Sequence, residues 1–206
     1  MGAARTIPGE LQAKPAGNRK PPEVLVLGLG NTRLTDGGIG VRVVRHLARD
    51  PETPPGLLPL DAGAFGFCWI TKFKRTRAIL IVDVAEIDAP AGATCLLEGE
   101  ELVEHVRRSG RIAAYGSGLS ELLDLARLQA YKPKRLALLA VQPASLDWGE
   151  DLSAPVSESL PVVCEQVIDI VLAWQRAADE VSDLQTLGEF STNRRSVVFS
   201  KGIQSV

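Results

Sequence analysis

The stretch that decides the fold is VLVLGLGNTRLTDGGIGVRVVRHL, residues 24–47. It opens with an almost wholly apolar run, passes through a Gly-Asn turn and an Asp-Gly-Gly break, and continues with an amphipathic helical pattern. A buried strand that feeds a polar loop into a helix places ligand sites at the carboxyl end of an α/β sheet. Apolar residues at Ile39, Val43 and Leu47 form the helix stripe, and Asp36 is expected to cap this helix.

The rest of the chain repeats this alternation of strands and helices. Four more strands are predicted from apolar runs, at residues 57–60, 78–84, 93–98 and 136–141. Helices are predicted at residues 100–109, 119–129 and 156–176. The alternation indicates a three-layer α/β/α sandwich around a small, mostly parallel twisted sheet, in which residues 94–97 suit an edge strand or an antiparallel partner.

The segments that flank this core differ from it in composition. Residues 1–22 are rich in Ala, Gly, Pro and basic residues, so they are predicted to form a flexible N-terminal arm. The folded domain is expected to extend over residues 23–178. Residues 179–206 are predicted to be a polar C-terminal tail, because the helical periodicity fades there.

Composition argues against several classes of function. The formal net charge of −2 provides no global field that would favour nucleic acid or a membrane surface. No apolar run reaches the roughly 18 residues of a membrane span, and the first twenty residues lack the apolar core of a secretory signal. The cysteines at positions 68, 95 and 164 form no Cys-x-x-Cys pair, which favours reduced thiols and a cytoplasmic location.

Polar residues gather where the predicted strands end. The carboxyl ends of parallel strands meet at one edge of a sheet, so these residues are expected to line a common cleft. The candidates for this cleft are Asn31, Asp36, Gly37, Asp61, Asp83, Tyr115 and Gln142.

Three familiar chemistries fit this edge poorly. A dinucleotide-binding turn needs glycine where Arg33 stands, and the chain has no Gly-Lys-Ser/Thr phosphate loop. Ser117 lies in Gly-Ser-Gly, whose spacing is not that of a nucleophile elbow. The two histidines, His46 and His105, lie on predicted helices rather than at strand ends. Asp61 is either a metal ligand or a turn aspartate that binds nearby backbone N–H groups.

Five segments resemble, in order, those of the [NiFe]-hydrogenase maturation endopeptidases, over roughly residues 23–176. VLGLGNTRLTDGGIGVRVV is similar to the opening V-L-G-x-G-N-x-L-x-x-D-[ED]-x-x-G-V-R-[VI]-V, and LDAGAFG to the second element, L-D-G-G-T-x-G. ILIVDVAEIDAPAGA resembles the third strand with its Asp and its Pro-Gly turn. AYGSGLSELLDLARL is similar to S-x-H-x-x-G-L-x-x-[AV]-L-x-x-[AL], and LALLAVQPASLDWGEDLSAPVSESLP to the closing strand, Gln-Pro turn and last helix.

The resemblance implies a fold, an activity and a site. Members have a phosphorylase/hydrolase-like α/β/α sandwich and remove a C-terminal extension from the hydrogenase large subunit after its nickel-iron centre is inserted. An acid, an Asp and a His at the strand ends are thought to sense or bind nickel. In this chain the acid falls on Gly37, the Asp on Asp61 and the His on Tyr115.

Two of the three implied nickel-binding groups are therefore missing. Glycine offers no ligand, and a neutral phenol is a poor donor for Ni²⁺. We therefore expect no tight nickel site and no cofactor, and a more neutral, roomier cleft near Gly37, partly filled by the ring of Tyr115. The expected partners are a [NiFe]-hydrogenase large subunit or other maturation factors.

Three functions remain open from the sequence. The first is a non-catalytic assembly factor or chaperone for the large subunit. The second is a divergent endopeptidase that uses Asp61 with nearby carboxylates such as Asp36, Asp83 or Glu86, directed by nickel already bound in its substrate. The third is small-molecule binding on the same fold, since fold alone does not fix function.

Overall fold

The computed structural model describes residues 24–64, 76, 78–109, 119–120, 124, 128 and 133–188. In chain order, the elements are β1 (Val24–Leu29), α1 (Ile39–Leu47), β2 (Leu57–Gly63), β3 (Ala78–Val84), β4 (Thr94–Glu98), α2 (Gly99–Ser109), β5 (Arg135–Val141) and α3 (Ala154–Gly188). A 3-10 turn, Thr35–Gly38, leads into α1. The strands form a five-stranded sheet in the order β2-β1-β3-β5-β4.

The direction of the strands matches the pattern expected from the sequence. β1 is parallel to both β2 and β3, and β3 is parallel to β5. β4 runs antiparallel to β5 at the sheet edge, as the composition of residues 94–97 suggests. The mostly parallel sheet of the predicted sandwich is therefore confirmed.

Both faces of the sheet are buried, which is why its central strands are continuous apolar runs. Val24 and Val26 of β1 face a core shared with α1 and α3. Leu25 and Leu27 face the opposite core, which includes Leu102 of α2. Each strand thus divides its side chains between two helical layers, and the three-layer architecture is confirmed.

Helix α1 packs onto the sheet with its backbone in close approach. A Cβ atom at Gly28 would overlap the carbonyl group of Gly40, and one at Gly40 would overlap the carbonyl oxygens of Leu29 and Val82. Glycine at these positions lets the first turn of α1 lie directly over the carboxyl ends of β1 and β3. This contact sets the height of the preceding loop, which carries Asp36, above the sheet.

The helix predicted over residues 156–176 is longer in the structure, where α3 continues through residues 179–188. Those ten residues contain no proline, and each residue added to an existing helix gains one hydrogen bond, so loss of a periodic apolar stripe does not end the helix. The predicted arm over residues 1–22, residues 189–206, Tyr115 and most of the helix predicted over 119–129 lie outside the described residues. No helix in the described part of the chain has both the length and the apolarity to cross a membrane.

Candidate functional site

Asp36 is buried beneath the segment that follows β5, and its carboxylate binds that segment. Its Oδ2 accepts hydrogen bonds from the N–H groups of Ala144 (2.8 Å) and Ser145 (3.0 Å) and from the hydroxyl of Ser153 (2.8 Å). Its Oδ1 accepts the N–H of Ser153 at 2.7 Å. The expected helix cap at Asp36 is therefore wrong, and neither the 3-10 turn nor α1 has a side-chain cap.

These hydrogen bonds keep Asp36 ionised. Burial raises the pKa of Asp36, but the hydrogen bonds from the backbone of Ser145, Ser153 and Ala144 and from the Ser153 hydroxyl outweigh burial and hold the pKa below its usual value. Ser153 also immediately precedes α3, whose N-terminal end carries partial positive charge. Asp36 is thus an internal anchor with its oxygen atoms already engaged.

Residues 144–153, which we call the strap, are also fastened through the main chain. The N–H of Thr35 donates to the carbonyl of Gly149 (2.8 Å), and the N–H of Gly149 donates to the carbonyl of Arg33 (2.9 Å). The Thr35 hydroxyl donates to the carbonyl of Ser145 at 2.6 Å. Thr35 has a φ of 26°, which is rare for a β-branched residue, and these bonds hold it there.

Gly37 does not face open space. It is buried, and a Cβ atom at this position would lie 3.1 Å from Cβ of Leu34 and 3.6 Å from Cδ2 of Leu146. There is therefore little room immediately beside Gly37, whereas Tyr115, which was expected to fill part of the cleft, lies outside the described residues. Leu146 belongs to the strap, so the same segment that holds Asp36 also fills the space beside Gly37.

Asp61 is engaged by an arginine that sequence reasoning did not single out. Oδ2 of Asp61 lies 2.9 Å from Nε and 2.8 Å from Nη2 of Arg45, and Oδ1 accepts the N–H of Gly63 at 3.1 Å. The side chains of Asp61 and Arg45 are 29% and 50% exposed. Asp61 therefore forms the expected turn hydrogen bond, and its carboxylate still reaches solvent.

A sequence signal for the Arg45–Asp61 pair does exist. Arg45 lies on the exposed side of α1, the helix that connects parallel strands β1 and β2, and Asp61 lies near the end of β2. A long side chain on a crossover helix leans toward the helix N-terminus, and hence toward the strand ends. An exposed basic residue within the same βαβ unit was the available clue.

Gln142, the last residue of the predicted cleft, fixes the loop after β3. Its Oε1 accepts the N–H of Ile87 at 2.8 Å, and its Nε2 donates to the carboxylate of Glu86 at 2.8 Å. Its backbone is also paired, with Ala93 and Gly92. The buried amide therefore positions the neighbouring loop.

Asn31 and Asp83 also make local hydrogen bonds. Oδ1 of Asn31 accepts the N–H of Arg33 at 3.0 Å, which shapes the turn after β1. Asp83 is buried at the end of β3, and its Oδ1 accepts the N–H of Val84 at 2.8 Å. The structure thus gathers most of the predicted residues around the strand ends, and uses several of them to shape loops.

The described residues do not fit a divalent metal ion. Among them, no three His, Cys, Asp or Glu side chains are grouped so that they could hold one. Asp61 is occupied by Arg45, and Gly37 contributes no ligand atom.

Elsewhere, burial and the charges of Asp50 and Glu165 raise the pKa of Cys164 to about 11, so this thiol stays protonated at neutral pH.

Comparisons with known proteins agree with this architecture. The family model described as HycI, hydrogenase maturation protease, matches residues 41–170. The hydrogenase 2 maturation protease of Escherichia coli K12 is 32% identical over 147 residues, or 70% of this chain and 88% of that protein. The hydrogenase expression/formation protein HupD of Rhizobium leguminosarum bv. viciae is 29% identical over 170 residues, which cover 82% of this chain and 81% of HupD.

A solved structure shows the same relationship. The hydrogenase maturating endopeptidase HybD of E. coli superimposes with a TM-score of 0.64 at 30% sequence identity, covering 76% of this chain and 93% of HybD. Taken with the family match, the shared sheet and the five ordered motifs, this likeness leads to one conclusion: the chain belongs to the hydrogenase maturation protease family.

Proposed function

We propose that this chain acts on a [NiFe]-hydrogenase large subunit in the cytoplasm as a non-catalytic assembly factor. The observation that carries this proposal is the state of two positions at the strand ends. Gly37 has no side chain and lies against Leu34 and Leu146, while the carboxylate of Asp61 is paired with Arg45. Among the described residues, these two positions keep the shape of the edge while offering little to a metal ion, which suits the recognition of a polypeptide.

The strap supports a role in protein binding. It presents Trp148 with 79% of its surface exposed, although the segment itself is fastened by Asp36 and by main-chain hydrogen bonds. Tryptophan is enriched among the residues that dominate binding energy at protein interfaces. A fixed backbone also lowers the entropy lost when such a side chain becomes ordered in a complex.

Co-purification with the large-subunit precursor tests the binding half of the proposal. The full chain is expected to retain the precursor, and Trp148→Ala is expected to weaken the complex about tenfold or more. Val162→Ala is the matched control, since Val162 is also apolar and 52% exposed but lies on α3. Equal loss of the complex in both variants would contradict a specific role for Trp148.

A divergent endopeptidase is the second candidate, and the exposure of Asp61 is the observation that favours it. With 29% of its side chain accessible, Asp61 is reachable by a substrate after a small movement of Arg45. The relative in E. coli is also named a maturation protease. Under this alternative, nickel within the substrate directs cleavage, and the chain itself supplies the carboxylate.

Incubation with nickel-loaded precursor separates the two candidates. We expect a stable complex and no loss of mass from the precursor C-terminus. Cleavage that disappears in Asp61→Ala would replace the assembly-factor proposal with the endopeptidase. If neither a complex nor cleavage is found, the large subunit is not the partner.

A further inference from the structure

We infer that Arg45 is the resident cation of Asp61 and occupies the place that a metal ion would take there. The inference deepens the proposed function and rests on it. Two guanidinium nitrogen atoms lie within 2.9 Å of the same carboxylate oxygen, Oδ2. The contact is therefore a directed hydrogen-bonded ion pair.

The hydrogen bonds leave little of the carboxylate for another cation. A carboxylate offers about four lone-pair positions; Arg45 uses two on Oδ2, and the N–H of Gly63 uses one on Oδ1. A divalent ion at Oδ2 would have to displace the guanidinium, and an ion at the free position on Oδ1 would be repelled by the neighbouring guanidinium charge. Arginine does not lose its proton in proteins, so pH does not remove this block.

The same arrangement defines what the position can accept. Arg45 fixes the orientation of Asp61 and leaves one acceptor position on a carboxylate that is 29% exposed. A polypeptide N–H group can use that position without displacing the arginine. Free Ni²⁺ would be held there by a single oxygen atom, beside the positive charge of Arg45. Arg45 is thus a specificity-determining residue that favours a peptide over a metal ion at Asp61.

Titration of the full-length chain with NiCl₂ tests this inference. Paramagnetic broadening of the amide NMR signals of residues 61–63 reports even weak binding at Asp61. Arg45→Gln is expected to lower the Ni²⁺ concentration for half-broadening about fivefold, the equivalent of one exposed ion pair. Arg45→Glu, which adds a second carboxylate, is expected to lower it further, and Asp61→Asn is expected to abolish both gains.

Arg49 provides a matched control for these substitutions. It is an exposed arginine just beyond α1 and takes part in none of the ion pairs found among the described residues. Arg49→Gln and Arg49→Glu change the net charge equally and are expected to leave the titration at wild-type concentrations. If the Arg49 variants lowered the Ni²⁺ concentration for half-broadening as much as the Arg45 variants do, net charge alone would explain the effect. That result would overturn the inference.

Two further outcomes would overturn it directly. One is the same half-broadening concentration in the wild type and in both Arg45 variants. The other is tight, saturable Ni²⁺ binding by the wild type that is lost in Asp61→Asn. Co-purification with the large subunit is measured separately, so a failure of the proposed partner leaves the metal titration interpretable, and the reverse also holds.

Discussion

Two aspartates near neighbouring strand ends have opposite surroundings. Asp36 is fully buried and receives four hydrogen bonds from residues 108 to 117 positions further along the chain. Asp61 is partly exposed and is paired with Arg45, only 16 positions away. The same side chain therefore holds the structure together in one place and stays accessible in the other. Proximity to a strand end does not by itself indicate a functional carboxylate.

Removing each carboxylate should give the largest contrast. Asp36→Ala leaves three part-buried N–H groups and one hydroxyl without their acceptor, so we expect it to lower the free energy of unfolding by about 3 kcal/mol. Asp61→Ala should cost less than about 1 kcal/mol, because its pair is exposed. Urea denaturation of both variants measures the difference, and similar losses would remove the distinction.

Glycine substitutions in the loop between β1 and α1 provide the next contrast. Gly30 has a φ of 121°, and a Cβ atom there would overlap the carbonyl of Gly37, so Gly30→Ala should cost about 2 kcal/mol or more. Gly37→Ala needs only a small shift of Leu34 and gains from a less flexible unfolded chain, so we expect a change within about 1 kcal/mol. Thermal unfolding of the two variants checks the order, and an equal or larger loss in Gly37→Ala would show that the packing around Gly37 cannot adjust.

Acid should weaken the Asp36 anchor selectively. Its pKa is lower in the folded chain than the usual 3.8, so protons bind preferentially to the unfolded chain. The stabilisation from ionised Asp36 is therefore complete well above pH 4 and is lost as the pH falls through the folded pKa. Free energies of unfolding measured from pH 7 to pH 2 should converge for the wild type and Asp36→Asn at the acid end. If the two free energies of unfolding instead fell in parallel with pH, a group other than Asp36 would cause the acid sensitivity.

Loss of the Arg45 pair should have the smallest effect on stability. Arg45→Gln is expected to cost between about 0.2 and 1 kcal/mol, because half of the arginine side chain is exposed and water competes for both charges. The cost should shrink further in 1 M salt, where charges are screened beyond about 3 Å. Denaturation at low and high salt measures this, and a large, salt-independent loss would mean that Asp61 is as structural as Asp36.

Sequence reasoning located elements better than it located contacts. β3 has its predicted bounds, residues 78–84, because a strand buried on both faces is a continuous apolar run that ends where polar residues begin. The helix cap assigned to Asp36 was wrong because that assignment considered only nearby N–H groups, whereas its partners follow β5. The residues next to Asp36 in the sequence do not indicate that its partners lie more than a hundred positions further along the chain.

Arg45 shows a different limit. Its place on the exposed face of α1 is readable from the sequence, yet an exposed arginine is usually solvated, so no pattern in α1 alone pairs it with Asp61. The pair becomes apparent only when the parallel register of β1 and β2 sets Asp61 beside Gly28. Motif order identified the family, but the electrostatics of the edge depended on three-dimensional placement.

The anchoring of Asp36 by the strap also constrains how the chain folds as it leaves the ribosome. The carboxylate is synthesised early, but its acceptor positions stay hydrated until residues 144–153 have emerged, 108 to 117 residues later. Closing so long a loop is entropically costly and slow, so the first turn should remain unfixed in nascent chains that already contain β1 to β3. A nascent chain that has not yet reached Ser153 would therefore have its sheet partly assembled while the loop before α1 is not yet anchored.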